Sequence, residues 1–375
     1  MESAPNVEHR PTYCVWETTL ACNLACRHCG SSAGLARAHE LSTQEALDLL
    51  AALHELGTEE VTFSGGEFIV RADWRLLLAR AKELGLASLI VSNGLGITPE
   101  VAEEFARQDV GAVSLSIDGS PGVHDWLRPL HKRVETTYSG PSVTDEASSH
   151  AQLGLAIDNL QRAGVLVGAI TQVSKTNLGE LGLIEEFLAA REIEGWQLQM
   201  TNPMGRSARS SAAHRVESLE PGDLPTLYAF VRRIQTEGRI RCLAADCLGY
   251  YAHDEPLLRS VERPNDAFWR GCQAGMRVIG ITSDGGVKGC LSMPDSYLEG
   301  NLRERPLREL WNDGSAFAYN RQFRVESLTG ACAECAFGKL CRAGCHSFAA
   351  TAQEGDISRY DHCIRLCDPD GAARR

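Results

Sequence analysis

Two textures alternate along residues 13–200. Short apolar runs rich in β-branched and aromatic residues are followed by longer stretches in which apolar residues recur every three or four positions. YCVWETT, EEVTFSGG, LASLIVSNG, GAVSLSIDG, VLVGAITQVS and WQLQMT read as strands. Between them, STQEALDLLAALHELG, DWRLLLARAKELG, TPEVAEEFARQ, AQLGLAIDNLQRAG and ELGLIEEFLAAREIEG read as helices. The first of these helices opens on a Ser/Thr cap and closes on Gly, and the third carries Pro in its first turn. Strand and helix alternate, and several strands are near-continuous apolar runs. This predicts an α/β fold with a parallel sheet covered by helices. Six such units suit a partial barrel or an open doubly wound sheet; periodicity does not choose.

Two segments break the rhythm. Residues 128–150 are polar and lack a period. They read as a surface insertion or, because they follow the fourth strand, as a lid over the strand ends. Residues 205–225 are rich in Ser, Arg, Pro and Gly and read as a linker, followed by a helix over LPTLYAFVRRIQTEG. Beyond it the chain is poor in periodic elements and rich in cysteine. The expected organisation is an α/β domain over 1–206, a linker and helix over 207–240, and a cysteine-rich domain over 241–375.

Composition narrows the partners. With 43% hydrophobic residues the chain can fill a substantial core. A net charge of −12 leaves no excess of Lys and Arg to neutralise phosphates, which argues against nucleic acid or an anionic membrane as partner. No signal-type N-terminus and no apolar run of about 18 residues occur, so a cytoplasmic location with reduced thiols is expected. In that setting 14 cysteines point to metal rather than disulfides. They are also bunched. Cys14, Cys22, Cys26 and Cys29 lie near the start, and the others run from Cys242 to Cys367. Cys14 falls inside the first strand and reads as a buried strand residue.

Candidate chemistry gathers where strands end, which is where parallel α/β units place their sites. The loop CNLACRHC, spaced C-x3-C-x2-C, follows the first strand. SGGE (Ser64, Gly65, Gly66, Glu67) follows the second, and SNG (Ser92 to Gly94) the third. SIDG (Ser116 to Gly119) follows the fourth, and Pro203, Gly205 and Arg206 follow the sixth. Soft thiolates select zinc, copper(I) or iron–sulfur clusters. A [4Fe–4S] cluster usually takes four cysteines; with three, one iron keeps a site at which a small molecule can bind and accept an electron.

The three-cysteine spacing together with SGGE resembles the signature of the radical S-adenosylmethionine (SAM) enzymes. The resemblance spans residues 12–206 and implies a partial (β/α)6 TIM-like barrel. His28 stands where the family often has an aromatic residue, and Phe68 where it often has Pro. The resemblance implies that Cys22, Cys26 and Cys29 hold a [4Fe–4S] cluster whose fourth iron is chelated by SAM. Gly65, Gly66 and Glu67, introduced by Ser64, would grip the SAM amino group, as a carboxylate pairs with an ammonium. Ser92, Asn93, Ser116 and Asp118 would lie at ribose and carboxylate contacts, and Arg206 would pair with the SAM carboxylate.

A second resemblance lies in the C-terminal part. Cys272, Gly285 and Cys290 give C-x12-G-x4-C, and Cys332, Cys335, Cys341 and Cys345 give C-x2-C-x5-C-x3-C, with Cys363 after them. This is similar to the SPASM extension, which carries auxiliary [4Fe–4S] clusters in peptide-modifying radical SAM enzymes. It implies an outer cluster on Cys332, Cys335, Cys341 and Cys363 and an inner one on Cys272, Cys290 and Cys345. The fourth inner ligand stays open among Cys242, Cys247, Cys367 or none. Zinc ribbons also use C-x2-C pairs and are the competing reading.

Together the resemblances imply an enzyme that cleaves SAM to a 5′-deoxyadenosyl radical and takes a hydrogen atom from a peptide substrate. An oxidative modification would follow, such as a thioether or carbon–carbon crosslink in a ribosomally made peptide. The implied partners are a precursor peptide and a flavodoxin or ferredoxin-type electron donor. With no room before residue 12 for a peptide-recognition domain, the linker, the 128–150 insertion or a separate recognition protein would take that role. The alternatives are a radical SAM enzyme acting on a small molecule such as a haem precursor, and a non-catalytic iron–sulfur or zinc protein.

Overall fold

A computed structural model describes residues 9–130, 148–211, 214–237, 239–251, 255–259 and 269–367. The candidate lid therefore falls largely outside the described residues. The six expected strands form: β1 (Tyr13–Glu17), β2 (Glu60–Ser64), β3 (Ala87–Ser92), β4 (Ala112–Ser116), β5 (Val167–Val173) and β6 (Gly195–Met200). The helices between them are α1 (Thr43–Glu55), α2 (Trp74–Glu83), α3 (Pro99–Arg107), α4 (Pro121–Leu127), α5 (Ser149–Arg162) and α6 (Leu181–Ala189). Ser42 and Glu45 close the expected N-terminus of α1 as a reciprocal capping box. The short α4 has no apolar period to announce it. A brief turn, α7 (Arg206–Arg209), and the expected long helix, α8 (Leu224–Glu237), follow β6.

Strand order settles the architecture. β1 to β6 lie side by side in chain order, all parallel. A doubly wound sheet would reverse its order at a switch point; here none occurs, and the sheet is of the TIM-like, partial-barrel kind. Four further strands extend it. β7 (Arg241–Ala244) adds in parallel beside β6, and β8 (Val278–Ile281) adds in parallel beside β1. β9 (Gly286–Lys288) and β10 (Gly300–Asn301) continue antiparallel from β8. The cysteine-rich part thus grips the barrel sheet at both edges. No helix among the described residues is long and apolar enough to cross a membrane.

The helices cover one face of the sheet. Trp16, Phe63, Ile90 and Val113 are register partners across β1 to β4 and are buried against Leu50, Leu53, Leu77, Leu78 and Phe105 of α1, α2 and α3. Register partners share a face. On the opposite face Val15, Leu89, Val91, Ser114, Ile170, Gln172, Gln197 and Gln199 are only half-buried. The strands are therefore not buried on both sides. Their second face lines an open interior, with Val15 on β1, Leu89 and Val91 on β3, and side-chain amides along β5 and β6.

Candidate active site and cluster ligands

The three-cysteine loop is tied to the strand ends by backbone pairing. Thr18 N donates to Ser64 O, Gly66 N to Thr19 O at 2.7 Å, and Glu67 N to Ala21 O at 2.9 Å. Gly65 and Gly66 are required by this approach. Gly65 has φ +128°, and a Cβ there would meet Thr19 O at 2.4 Å; one on Gly66 would meet Ala21 O at 2.2 Å. The other side of the loop rests on the turn after β6. Arg206 donates from its backbone N to Cys29 O at 2.9 Å, and from Nε to Cys26 O and Nη1 to Ala33 O, both at 2.6 Å. A third support comes from residues 127–130. Leu24 and Leu130 form an antiparallel bridge, and Ala25 N and Arg27 N donate to Pro129 O and Leu127 O.

None of the fourteen cysteines forms a disulfide, and the sulfurs of the loop face N–H donors. Leu24 N donates to Cys22 Sγ at 3.4 Å and Ala33 N to Cys29 Sγ at 3.3 Å. Asn93 Nδ2 reaches Cys22 Sγ at 3.8 Å, and Arg128 Nη1 reaches Cys26 Sγ at 3.7 Å. Burial pushes the Cys26 thiol up to about 11, with the Arg128 guanidinium pulling the other way. Three soft thiols with N–H groups aimed at sulfur suit iron–sulfur ligation.

The C-terminal thiols fall into two groups. Cys332, Cys335, Cys341 and Cys363 line one cavity together with Tyr250, Tyr251 and Tyr360. Cys272 is an electrostatic neighbour of both Cys290 and Cys345. These sulfurs too are served by backbone N–H groups. Ala274 and His346 donate to Cys272, Ser292 to Cys290, Phe348 to Cys345, Tyr360 to Cys332, Gly344 to Cys341 and Arg365 to Cys363. Of the three spare thiols, Cys247 lies beside Cys345 and accepts from Met200 N at 3.3 Å. Cys242 sits on β7 toward Glu185, its thiol pushed up to about 12 by burial, and Cys367 donates to Asp361 O beside Cys363. Neither of these two, nor Cys14, has an N–H donor on its sulfur among the described residues. Nor do any three Cys, His, Asp or Glu side chains there converge tightly enough for a single metal ion. A cubane spreads its thiolates over several irons and asks for wider spacing.

Comparison with known proteins agrees with this geometry. Residues 16–139 match the Radical SAM superfamily, and residues 272–336 match SPASM, an iron–sulfur cluster-binding domain. An AdoMet-dependent heme synthase of Nitratidesulfovibrio vulgaris is 31% identical over 354 residues, covering 89% of this chain and 87% of that protein. The chain belongs to the radical SAM superfamily. The mycofactocin maturase MftC of Mycobacterium ulcerans is 32% identical over 343 residues, covering 89% of this chain and 83% of that one. Among solved structures, SuiB of Streptococcus suis bound to S-adenosylmethionine shares the fold at TM-score 0.70 and 18% identity. That match covers 97% of this chain and 78% of the SuiB chain. The cofactors of this radical SAM chain are accordingly SAM, a [4Fe–4S] cluster and auxiliary clusters.

The remaining residues expected at the radical SAM site fall into two hydrogen-bonded groups, one around Glu67 and one around Asp118. Glu67 is buried and accepts from Ser92 Oγ at 2.9 Å and Asn93 N at 2.8 Å. Burial pushes its carboxyl up to about 7, against those hydrogen bonds. Ser116 is buried at the end of β4. Asp118 is wholly buried, with Oδ1 accepting from Gln172 N at 2.9 Å and Oδ2 from Arg128 Nε at 2.5 Å. His28 Nε2 stands 3.1 Å from the same Oδ2. Burial raises this carboxyl, but Arg128 and then His28 outweigh it and hold it well below the usual carboxylate range. The sequence reading missed Arg128 and Arg71. Arg71 donates from Nη1 to Thr18 O and from Nη2 to Leu41 O, bracing the loop from outside. No spacing marks either residue, because each reaches its partners across the chain fold.

Proposed function

We propose that this chain cleaves SAM reductively, takes a hydrogen atom from a peptide and completes an oxidative modification of it, such as a thioether or carbon–carbon crosslink. The observation that carries the reading is the pair of thiol groups beyond the barrel, because a net oxidation needs an acceptor for the electron left on the product radical. The likeness to a mycofactocin maturase supports a peptide substrate. So does the amide-rich interior face at Gln172, Gln197 and Gln199, which suits peptide N–H and C=O groups.

Cys22, Cys26 and Cys29 would hold the cluster that delivers one electron to SAM. Gly65 and Gly66 would let the backbone approach the SAM amino group and Glu67 would pair with it, while Ser92 and Asn93 fix the rotamer of Glu67. Ser64 ties the motif to the loop through its carbonyl, which accepts from Thr18 N, and Ser116 would lie at the ribose. Asp118 and Arg206 act by positioning, since their polar atoms go to Arg128, His28 and the loop carbonyls. The outer cluster takes Cys332, Cys335, Cys341 and Cys363. The inner one takes Cys272, Cys290, Cys345 and Cys247, the spare thiol that has both the neighbouring cysteine and the N–H donor. A flavodoxin or ferredoxin-type protein would supply the electron.

A second reading is favoured by the likeness to AdoMet-dependent heme synthases: the substrate is a haem precursor. One experiment separates the two. The reconstituted enzyme with SAM and reductant is offered any short peptide whose reading frame is found beside its gene, and separately an iron porphyrin. A mass change on the peptide alone supports the proposal; conversion of the porphyrin alone overturns it.

The raised carboxyl of Glu67 adds a pH prediction. A carboxyl near 7 is mostly protonated at pH 6 and mostly ionised at pH 8, and the ionised form is the stronger acceptor for the N–H groups of the SAM amine. SAM affinity is therefore expected to rise by about tenfold from pH 6 to pH 8. Calorimetric titration of Glu67→Gln beside the parent separates this from the ligand's own amine, since any slope the variant keeps belongs to SAM. The same carboxyl contributes stability to the SAM-free protein at low pH and loses it as pH rises through about 7.

A further inference from the structure

Arg128 is a cation nine-tenths buried beside the thiol of Cys26. Its place is built from three sides. The pairing of residues 127–130 with the cysteine loop carries its backbone alongside Cys26. Asp118 takes its Nε at 2.5 Å, leaving Nη1 pointed at Cys26 Sγ at 3.7 Å. His28, from within the loop, closes on the same carboxylate oxygen at 3.1 Å, so loop, guanidinium and strand end are held at one point.

Burying an arginine this way is costly unless its charge is used. Asp118 meets part of that charge, and Nη1 faces sulfur. A cluster gains one negative charge when it takes an electron from an external reductant. A buried cation with an N–H on a ligand sulfur stabilises the reduced form more than the oxidised form, and such hydrogen bonds are among the levers that set cluster potentials. We propose that Arg128 is a positioning residue that raises the reduction potential of the cluster on Cys22, Cys26 and Cys29, and that Asp118 moderates this by aiming the guanidinium and offsetting its charge. The inference rests on the reading that these three cysteines hold a cluster. Iron loss in their triple alanine variant tests that reading separately.

The test is an EPR-monitored redox titration of the full-length, iron-loaded enzyme without SAM. The signal of this cluster is isolated by subtracting the Cys22→Ala/Cys26→Ala/Cys29→Ala spectrum. A hydrogen bond to a charged group is stronger than one between neutral groups. Arg128→Met at full iron content is therefore expected to lower the reduced-to-oxidised ratio at fixed potential by about tenfold, which is about 59 mV for one electron. Asp118→Asn is expected to shift the midpoint the opposite way, to less negative potential. Opposite signs are a readout that mere loosening of the loop does not produce. An unchanged midpoint in Arg128→Met, or shifts of both variants in the same direction, overturns the proposal. Should Arg128→Met fail to load iron, the sign in Asp118→Asn decides: upward supports the proposal, and unchanged or downward overturns it.

Discussion

Cys22→Ala/Cys26→Ala/Cys29→Ala is expected to abolish 5′-deoxyadenosine formation from SAM while the barrel stays folded. The loop forms its own small cluster with Leu24, Ala33 and Leu95, apart from the main core of sheet and helices. Removing three thiols there deletes ligands without opening the core. The enzyme is reconstituted anaerobically with iron and sulfide, given SAM and a strong reductant, and assayed for 5′-deoxyadenosine, with iron content and far-UV circular dichroism in parallel. The variant should lose about four irons, keep its spectrum and show no product above background. Product from the triple variant would remove these cysteines from the chemistry.

Cys341→Ala/Cys363→Ala should give the complementary result: SAM cleavage persists and the modified peptide disappears. Both thiols line the cavity shared with Cys332, Cys335, Tyr250 and Tyr360, far along the chain from the three-cysteine loop. The surrounding segment, residues 328–345, consists of single helical turns at Gly330–Ala333 and Gly338–Cys341. Such short turns hold little core of their own, so metal–thiolate bonds supply much of the local stability. The melting temperature is expected to fall by more than about 5 °C, equivalent to roughly 2 kcal/mol or more. Calorimetry checks the stability, and mass spectrometry of the peptide together with the 5′-deoxyadenosine assay checks the division of labour. Unaltered peptide product from the double variant would show that the outer thiols serve stability alone.

Much of the barrel was legible because each unit carries its own local signals. The Ser42–Glu45 box and the Pro99 start of α3 are short-range features, and the helices formed where they pointed. The spacing of the first three cysteines was equally local. β7, β8 and α4 were not legible. β7 and β8 are four-residue strands whose partners lie far away in the chain, β6 and β1, and a short run says nothing about which edge it will join. Asp118 shows the same limit at the site. Its position after β4 placed it on the rim, but its partners, His28 and Arg128, come from two other loops.

The sequence by itself determined the alternation of strand and helix, the three-thiol loop with its SGGE companion, and the presence of a second, cysteine-rich chemistry. These follow from periodicity, caps and spacing, which act over a few residues. Only the tertiary structure decided that strand order runs without reversal, that one sheet face is left open as an interior, that Cys247 rather than Cys242 or Cys367 stands beside Cys345, and that Arg128 points at Cys26. Each of these depends on which distant segments pack together. That choice is made by burial and hydrogen-bond satisfaction across the whole fold, and no local pattern encodes it.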